Sequence, residues 1–205
     1  MQKIVIFGGT GMTGQCAVQH ALLKGLRVRL MVRSEATLPD TFKGRLEIVS
    51  GDVVNLNDVA NAIKGQDLVC VALGTRNDLQ PTTVLSTGMQ NIVDAMKAEG
   101  MKKVSVCLSS FLFFEPDKVP KMFTNLNAEH KKMLDIIKAS GLEYRAVFPP
   151  HIADEPASEY VTAFDKSPGL TRSISKLDLG KFLIESLFDD QYTGKQIGIC
   201  TKPSC

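Results

Sequence analysis

Short apolar runs alternate with amphipathic stretches along all 205 residues. The first run, 4–7, is apolar throughout, the pattern of a strand buried on both faces. It ends in glycines at 8, 9, 11 and 14, and the spacing then predicts a helix over 12–24, stopped by Gly25 beyond a lysine. The same alternation predicts strands over 27–32, 46–49, 67–73, 103–108 and 143–148, and helices over 57–64, 83–99 and 127–140. Ser175 to Asp178 reads as a capping box opening a last helix to about 188, followed by a short strand over 196–200 and a frayed tail. Six strand-then-helix units imply a doubly wound parallel sheet with helices on both faces and strand order 3-2-1-4-5-6, with a possible short extra strand. Residues 1–205 are expected to form one α/β domain of the Rossmann type.

In such sheets a ligand sits beyond the strand C-termini, which selects 8–14, 33–34, 52–53, 73–78, 109–114 and 149–154. The first of these is the signature. Gly8 permits a tight turn, Gly11 lets backbone approach a diphosphate, and Gly14 lets the helix lie close to the strand. Thr10, Met12 and Thr13 lie between them, and the free N–H groups of the first helical turn face the anion. The spacing is G-x-x-G-x-x-G rather than G-x-G-x-x-G, but its place between a strand and a helix predicts dinucleotide binding. The second strand ends in Arg33-Ser34 where NAD-binding chains carry an acid, so Arg33 is expected to grip a 2′-phosphate and Ser34 to assist, which favours NADP(H). The competing reading leaves Arg33 solvated and gives the ribose to Glu35. Asp52 and Val53 are placed to flank the adenine, although Asp52 could equally cap the next helix.

Composition is that of an ordinary soluble chain, 44% hydrophobic and 22% charged, and a net charge of +2 gives no pull toward nucleic acid or membrane. No apolar run approaches the roughly 20 residues that span a bilayer. The first strand begins within about two residues of the N-terminus, so no signal peptide is expected. Cysteines 16, 70, 107, 200 and 205 form no C-x-x-C pair and no metal-ligand spacing, so no metal is expected; this usage suits a reducing compartment, by default the cytoplasm. Cys70 and Cys107 read as small core residues and Cys205 as an exposed thiol. A monomer is expected.

Reductases of this fold commonly use Tyr-x-x-x-Lys as their acid. Here Tyr144, Tyr160 and Tyr192 are followed at the fourth position by Phe148, Phe164 and Gln196, so the dyad is absent. The acceptor should then tolerate a hydride without a strong local acid, as a flavin or a conjugated linear tetrapyrrole does. Phe111, Leu112, Phe113 and Phe114 form an apolar cluster that could stack on a flat ligand or pack into the core. Ser109 is expected beside the nicotinamide, or else as a local cap. His151, behind two prolines, could bond cofactor or substrate through ring or backbone, with Pro150 and Ile152 alongside it. His130, on a helix, is a weaker candidate, and His20 is expected to be solvated. Arg76, Lys118, Lys121 and Arg172 could meet carboxylates or phosphates at the rim.

The segments IFGGTGMTG (6–14), LMVRSEATLP (30–39), GDV (51–53), LGTRNDLQPTTV (73–84), NIVDAMKAEG (91–100), SSFLFFEPDKVP (109–120), PPHIADEP (149–156) and ISKLDLGKF (174–182) span nearly the whole chain. In them the sequence resembles the flavin reductase/biliverdin-IXβ reductase family, small atypical members of the short-chain dehydrogenase/reductase superfamily. The resemblance implies NADPH-dependent reduction of FMN, FAD or riboflavin, and of linear tetrapyrroles such as biliverdin IXβ in heme catabolism. It places Ser109 beside nicotinamide and tetrapyrrole, His151 in the pocket, and the cofactor on the glycine loop, Arg33 and the Leu73-Gly74-Thr75-Arg76 loop. One departure is that family members can carry an arginine after Val119-Pro120, where this chain has Lys121-Met122-Phe123. Two other readings stand. One is a redox sensor resembling NmrA-like regulators, which binds NADP(H) without turnover. The other, an epimerase or ketone reductase, ranks last because its acid–base dyad is missing.

Overall fold

Strand β1 (Lys3–Phe7) lies inside the sheet because both of its faces are apolar: Ile4 and Ile6 point to one side, Val5 and Phe7 to the other, and all four are fully buried. The structure, a computed structural model, describes residues 1–34, 39–42 and 44–203. The order of elements is β1, α1 (Met12–Leu23), β2 (Arg27–Val32), β3 (Glu47–Ser50), α2 (Leu56–Ile63), β4 (Leu68–Val71), α3 (Val84–Ala98), β5 (Lys103–Cys107), α4 (Thr124–Ala139), β6 (Glu143–Phe148), β7 (His151–Ala153), β8 (Tyr160–Phe164), β9 (Ser173–Ser175), α5 (Lys176–Glu185) and β10 (Lys195–Thr201).

Eight of these strands form one sheet in the order β3-β2-β1-β4-β5-β6-β10-β8. The predicted 3-2-1-4-5-6 order is present and is extended at one edge. Pairing is parallel except between β10 and β8. The remaining strands, β7 and β9, pair with each other, His151 opposite Ser173. One core joins Val5, Phe7, Val69 and Val71 to α2, α3 and α4; the other joins Ile4, Ile6, Leu30 and Cys70 to α1 and α5. This is a doubly wound α/β fold.

Two expectations are corrected and one is extended. The late strand is present as β10 and is internal to the sheet, parallel to β6 and antiparallel to β8, so its Ile197 and Ile199 are fully buried. The capping box at α5 is half-formed. Ser175 Oγ accepts from the Leu177 N–H, but the Asp178 carboxylate accepts instead from the Ser158 N–H at 2.9 Å, tying down a distant loop. His20 is half-buried and paired rather than freely solvated, its Nε2 lying 2.6 Å from Glu185 Oε1 across the α1–α5 packing. No helix among the described residues is long and apolar enough to cross a membrane.

Cys70 and Cys107 are core residues, and burial pushes both thiols up to about 12. A thiol reagent at mildly alkaline pH should therefore label neither in the native protein and both after denaturation, as read by mass mapping of the labelled peptides. Cys205 lies outside the described residues.

Candidate functional site

The loop after β1 is held by close backbone approach. Gly8 has φ +80°, where side chains are rarely tolerated, and a Cβ there would meet the Ala72 carbonyl oxygen at 2.3 Å. Gly11 N–H donates back to Gly8 O at 3.0 Å, closing the turn. A Cβ on Gly14 would stand 2.1 Å from that same Gly8 oxygen, so the helix lies directly on the loop. Helix α1 has Gly11 as its N-cap, with no capping side chain and no acidic residue in its first turn. The amides of Met12, Thr13 and Gly14 precede the first helical carbonyl acceptor and point out of the helix tip. Such a tip carries partial positive charge and suits a diphosphate.

The loop after β4 closes over this tip. Arg76 and Asn77 both have left-handed backbone, φ +52° and +67°, which turns the chain toward the glycine loop. Arg76 Nη2 then donates to Thr10 Oγ1 at 2.9 Å. Leu73 and Thr75 are half-buried and Gly74 is exposed, with Thr75 O accepting from the Asp78 N–H at 3.1 Å. At the end of β2, Arg33 and Ser34 are both exposed, and Glu35 lies outside the described residues. Of the two roles open to Asp52, the helix cap belongs to Asn55, whose side chain accepts from the Asn57 and Asp58 N–H groups. Asp52 Oδ1 instead accepts from the Val54 N–H at 3.1 Å. Val53 is buried, and its carbonyl accepts from Asn91 at 2.9 Å.

The far half of the edge is organised by Ser109. Its hydroxyl accepts weakly from the Phe111 N–H, at 3.3 Å, and starts the 3₁₀ turn Ser110–Phe113, so its own proton remains available to a ligand. Ser110 N–H donates to Pro149 O at 2.9 Å, which brings the ends of β5 and β6 together. His151 follows, exposed, its N–H donating to Arg172 O at 3.2 Å; Pro150 and Ile152 beside it are half-buried.

The four residues of the aromatic cluster divide in two. Phe113 stacks on Phe148, centroids 4.4 Å apart, and with Leu112 packs on the core. Phe111 faces the other way, against Phe114 at 5.6 Å and Phe123 at 5.1 Å. Phe123, in the turn Lys121–Phe123, was not singled out by sequence. The fold brings it back over Phe111. Lys118 and Lys121 are exposed on the same loop, Lys118 beside Asp117 at 3.6 Å, and Arg172 is exposed next to His151. His130 is buried, and desolvation pushes it down to about 4, so the ring is neutral.

Two surface grooves lie away from this edge, about 400 Å³ between α3 and α4 and about 390 Å³ between α1 and the start of α5. Neither is lined by Ser109 or by a residue of the glycine loop. The glycine-loop end of the sheet is marked by its backbone donors rather than by an enclosed volume.

An uncharacterized chloroplastic protein of Arabidopsis thaliana is 27% identical, over 98% of this chain and 77% of its own. An isoflavone reductase homolog of Nicotiana glauca is 24% identical over 95% of this chain and 67% of its own. Among solved structures, a short-chain dehydrogenase/reductase of Veillonella parvula in complex with NADP has the same fold, with a TM-score of 0.79 at 16% identity and coverage of 100% and 99% of the two chains. A family model described as NAD(P)H-binding matches residues 8–190, from the glycine that opens the anion-binding turn to the loop before β10. A helix tip stripped of caps and acids, held at the middle of a doubly wound sheet and matched over this length, identifies the chain as a member of the NAD(P)H-binding family.

Proposed function

We propose that this protein is an NADPH-dependent reductase that transfers a hydride to flavins (FMN, FAD, riboflavin) and to linear tetrapyrroles such as biliverdin IXβ. We read residues 1–205 as one cofactor-binding unit acting as a cytoplasmic monomer. The observation that carries the substrate reading is the aromatic shelf of Phe111, Phe114 and Phe123 beside Ser109, in a chain without Tyr-x-x-x-Lys. A flat conjugated ring system stacks on such a shelf and spreads the incoming charge over many atoms. The relatives add support for the reaction class: curated ones are named as reductase homologs, and a structural neighbour was solved with NADP.

The chain's own groups divide the work. The amides of Met12, Thr13 and Gly14 hold the diphosphate, with Thr10 and Arg76 closing over it. Arg33 and Ser34 take the 2′-phosphate, Asp52 and Val53 border the adenine, and Leu73, Gly74 and Thr75 line the cofactor's path. Pro150, His151 and Ile152 flank the nicotinamide, which supplies the hydride when bound. Ser109 orients the ring to be reduced by a hydrogen bond, and His151 bonds substrate or nicotinamide from the other side. Phe111 bears on the substrate ring from the open shelf, and Phe113, packed on Phe148 in the core, fixes the turn that presents it. Lys118, Lys121 and Arg172 attract carboxylates or phosphates at the mouth.

The test is NADPH oxidation followed at its absorbance band, with FMN or biliverdin IXβ added. Acceleration by either substrate, with NADH the poorer donor, is expected. Binding of NADP(H) with no turnover would favour the redox-sensor reading, which the missing acid–base dyad also allows. Ser109→Ala should slow tetrapyrrole reduction roughly tenfold, the equivalent of about 1.4 kcal/mol for one lost hydrogen bond, while NADPH affinity stays the same. An unchanged rate would remove the hydroxyl from the reaction.

A further inference from the structure

Helix α3 lies outside the segments at the strand ends, yet it bears on two of them. A Cβ on Gly88 would stand 2.6 and 2.9 Å from the two γ-carbons of Val53 and 3.3 Å from Leu73 Cδ1. Asn91, three residues on and so on the same helical face, donates from Nδ2 to Val53 O at 2.9 Å. Gly88 therefore lets the helix backbone lie against the Val53 side chain, while Asn91 holds the Val53 backbone. Backbone bonds tie both neighbours to the edge of the sheet that carries the glycine loop. Gly51 N–H donates to Val32 O at 2.9 Å, which draws the chain after β3 against the end of β2, one residue before Arg33. Ala72 N–H donates to Phe7 O at 2.9 Å, which seats Leu73 beside Gly8. Gly88 thus stands behind two walls at once, one next to Arg33 and the other next to the glycine loop.

Resting on the adenine placement proposed above, we propose that Gly88 and Asn91 are positioning residues for the adenine end of the cofactor. Neither touches the nucleotide. Helix α3 sets where Val53 stands relative to Leu73, and so sets the border against which a purine ring lies. Val53 has little freedom to find another seat, since it is β-branched, 7% exposed and packed in the core with Leu85 and Met89 of α3. A methyl on Gly88 must push Val53 from its place or lift α3 from both walls. The other bonds of this loop hold Asp52: its N–H donates to Asp58 Oδ2 at 2.9 Å, and its carbonyl accepts from the Asn55 N–H at 3.0 Å. The Val53 carbonyl is held by Asn91, so loss of that amide donor frees it.

The test is calorimetric titration with 2′,5′-ADP, which carries the adenine and the ribose 2′-phosphate and needs no turnover. Gly88→Ala should weaken its binding roughly tenfold, and Asn91→Asp, which keeps the shape and loses the donor, roughly fivefold. Val53→Ala removes both γ-carbons that the new methyl meets. Combined with Gly88→Ala it should bind 2′,5′-ADP more tightly than Gly88→Ala alone, the non-additivity expected of residues in contact. A role in folding alone would not produce that rescue. In NADPH oxidation with FMN, both single variants should raise KM for NADPH in parallel and leave kcat at saturating NADPH within about twofold. If Gly88→Ala does not fold, Asn91→Asp carries the same titration. Unchanged 2′,5′-ADP affinity in the folded variants, or a wild type that does not bind 2′,5′-ADP, would overturn the proposal. A wild type that binds 2′,5′-ADP and reduces no acceptor would overturn the reductase reading alone, and the titrations of the variants would still decide the role of α3.

Discussion

Arg33→Ala should weaken NADPH binding by roughly 10- to 150-fold and leave NADH within about twofold. The range follows from the value of a hydrogen bond to a charged group, about 1.5–3 kcal/mol, with the guanidinium meeting a 2′-phosphate that NADH lacks. Arg33 directly follows β2, the strand that runs parallel to and beside the one leading into the glycine loop. It is exposed, and a contact made there is screened by salt. The wild-type KM for NADPH should therefore rise with ionic strength, and that dependence should shrink in the variant. Titration of both proteins with both nucleotides reads the effect directly. Equal losses for NADPH and NADH would mean that Arg33 does not touch the 2′ position and that the preference lies elsewhere.

What could be read from sequence were the parts governed by neighbours in the chain. Strands β1, β2 and β4 to β6 are apolar runs because both of their faces are covered, and their boundaries fall within about two residues of the pattern. The glycine loop was legible because each of its requirements, a positive φ at Gly8 and a close approach at Gly14, is met by residues only a few positions apart. Strands β7 and β9 have only three residues each, and β8 is half-buried, so none carries the apolar run that marks a buried strand. Partners far apart in sequence were misjudged or missed: Asp178 finds Ser158, His20 finds Glu185, and Phe123 folds back onto Phe111. Sequence placed Ser109, the Phe111 cluster and His151 beyond the ends of β5 and β6, where they lie. It did not show that Phe111 and Phe113 face opposite ways, because a 3₁₀ turn rather than a strand or α-helix sets their directions.

Gly14→Ala should destabilise the protein by at least about 3 kcal/mol, roughly 10 °C in Tm for a chain of this size, and abolish measurable NADPH binding. The added methyl would stand 2.1 Å from Gly8 O and 2.7 Å from Gly9 Cα, and both neighbours are backbone, so no side chain can swing aside. The first turn of α1 must then lift from the loop. That displaces the amides proposed to hold the diphosphate, and an error of about 1 Å in such an array is enough to lose two orders of magnitude. Gly11→Ala is the control that separates folding from binding. Its nearest new contact, Gly8 O at 3.3 Å, is relieved by a shift of a few tenths of an ångström, so Tm should stay within about 2 °C. Its methyl nevertheless occupies space that the bound diphosphate needs, and NADPH affinity should fall at least tenfold. Thermal melts of both variants, with and without NADP, distinguish the cases: Gly14→Ala melts early and ignores the nucleotide, whereas Gly11→Ala melts like the wild type until the nucleotide is added and then gains little. If Gly11→Ala is stabilised by NADP as strongly as the wild type, the diphosphate does not lie against this turn, and the cofactor geometry derived from it is wrong.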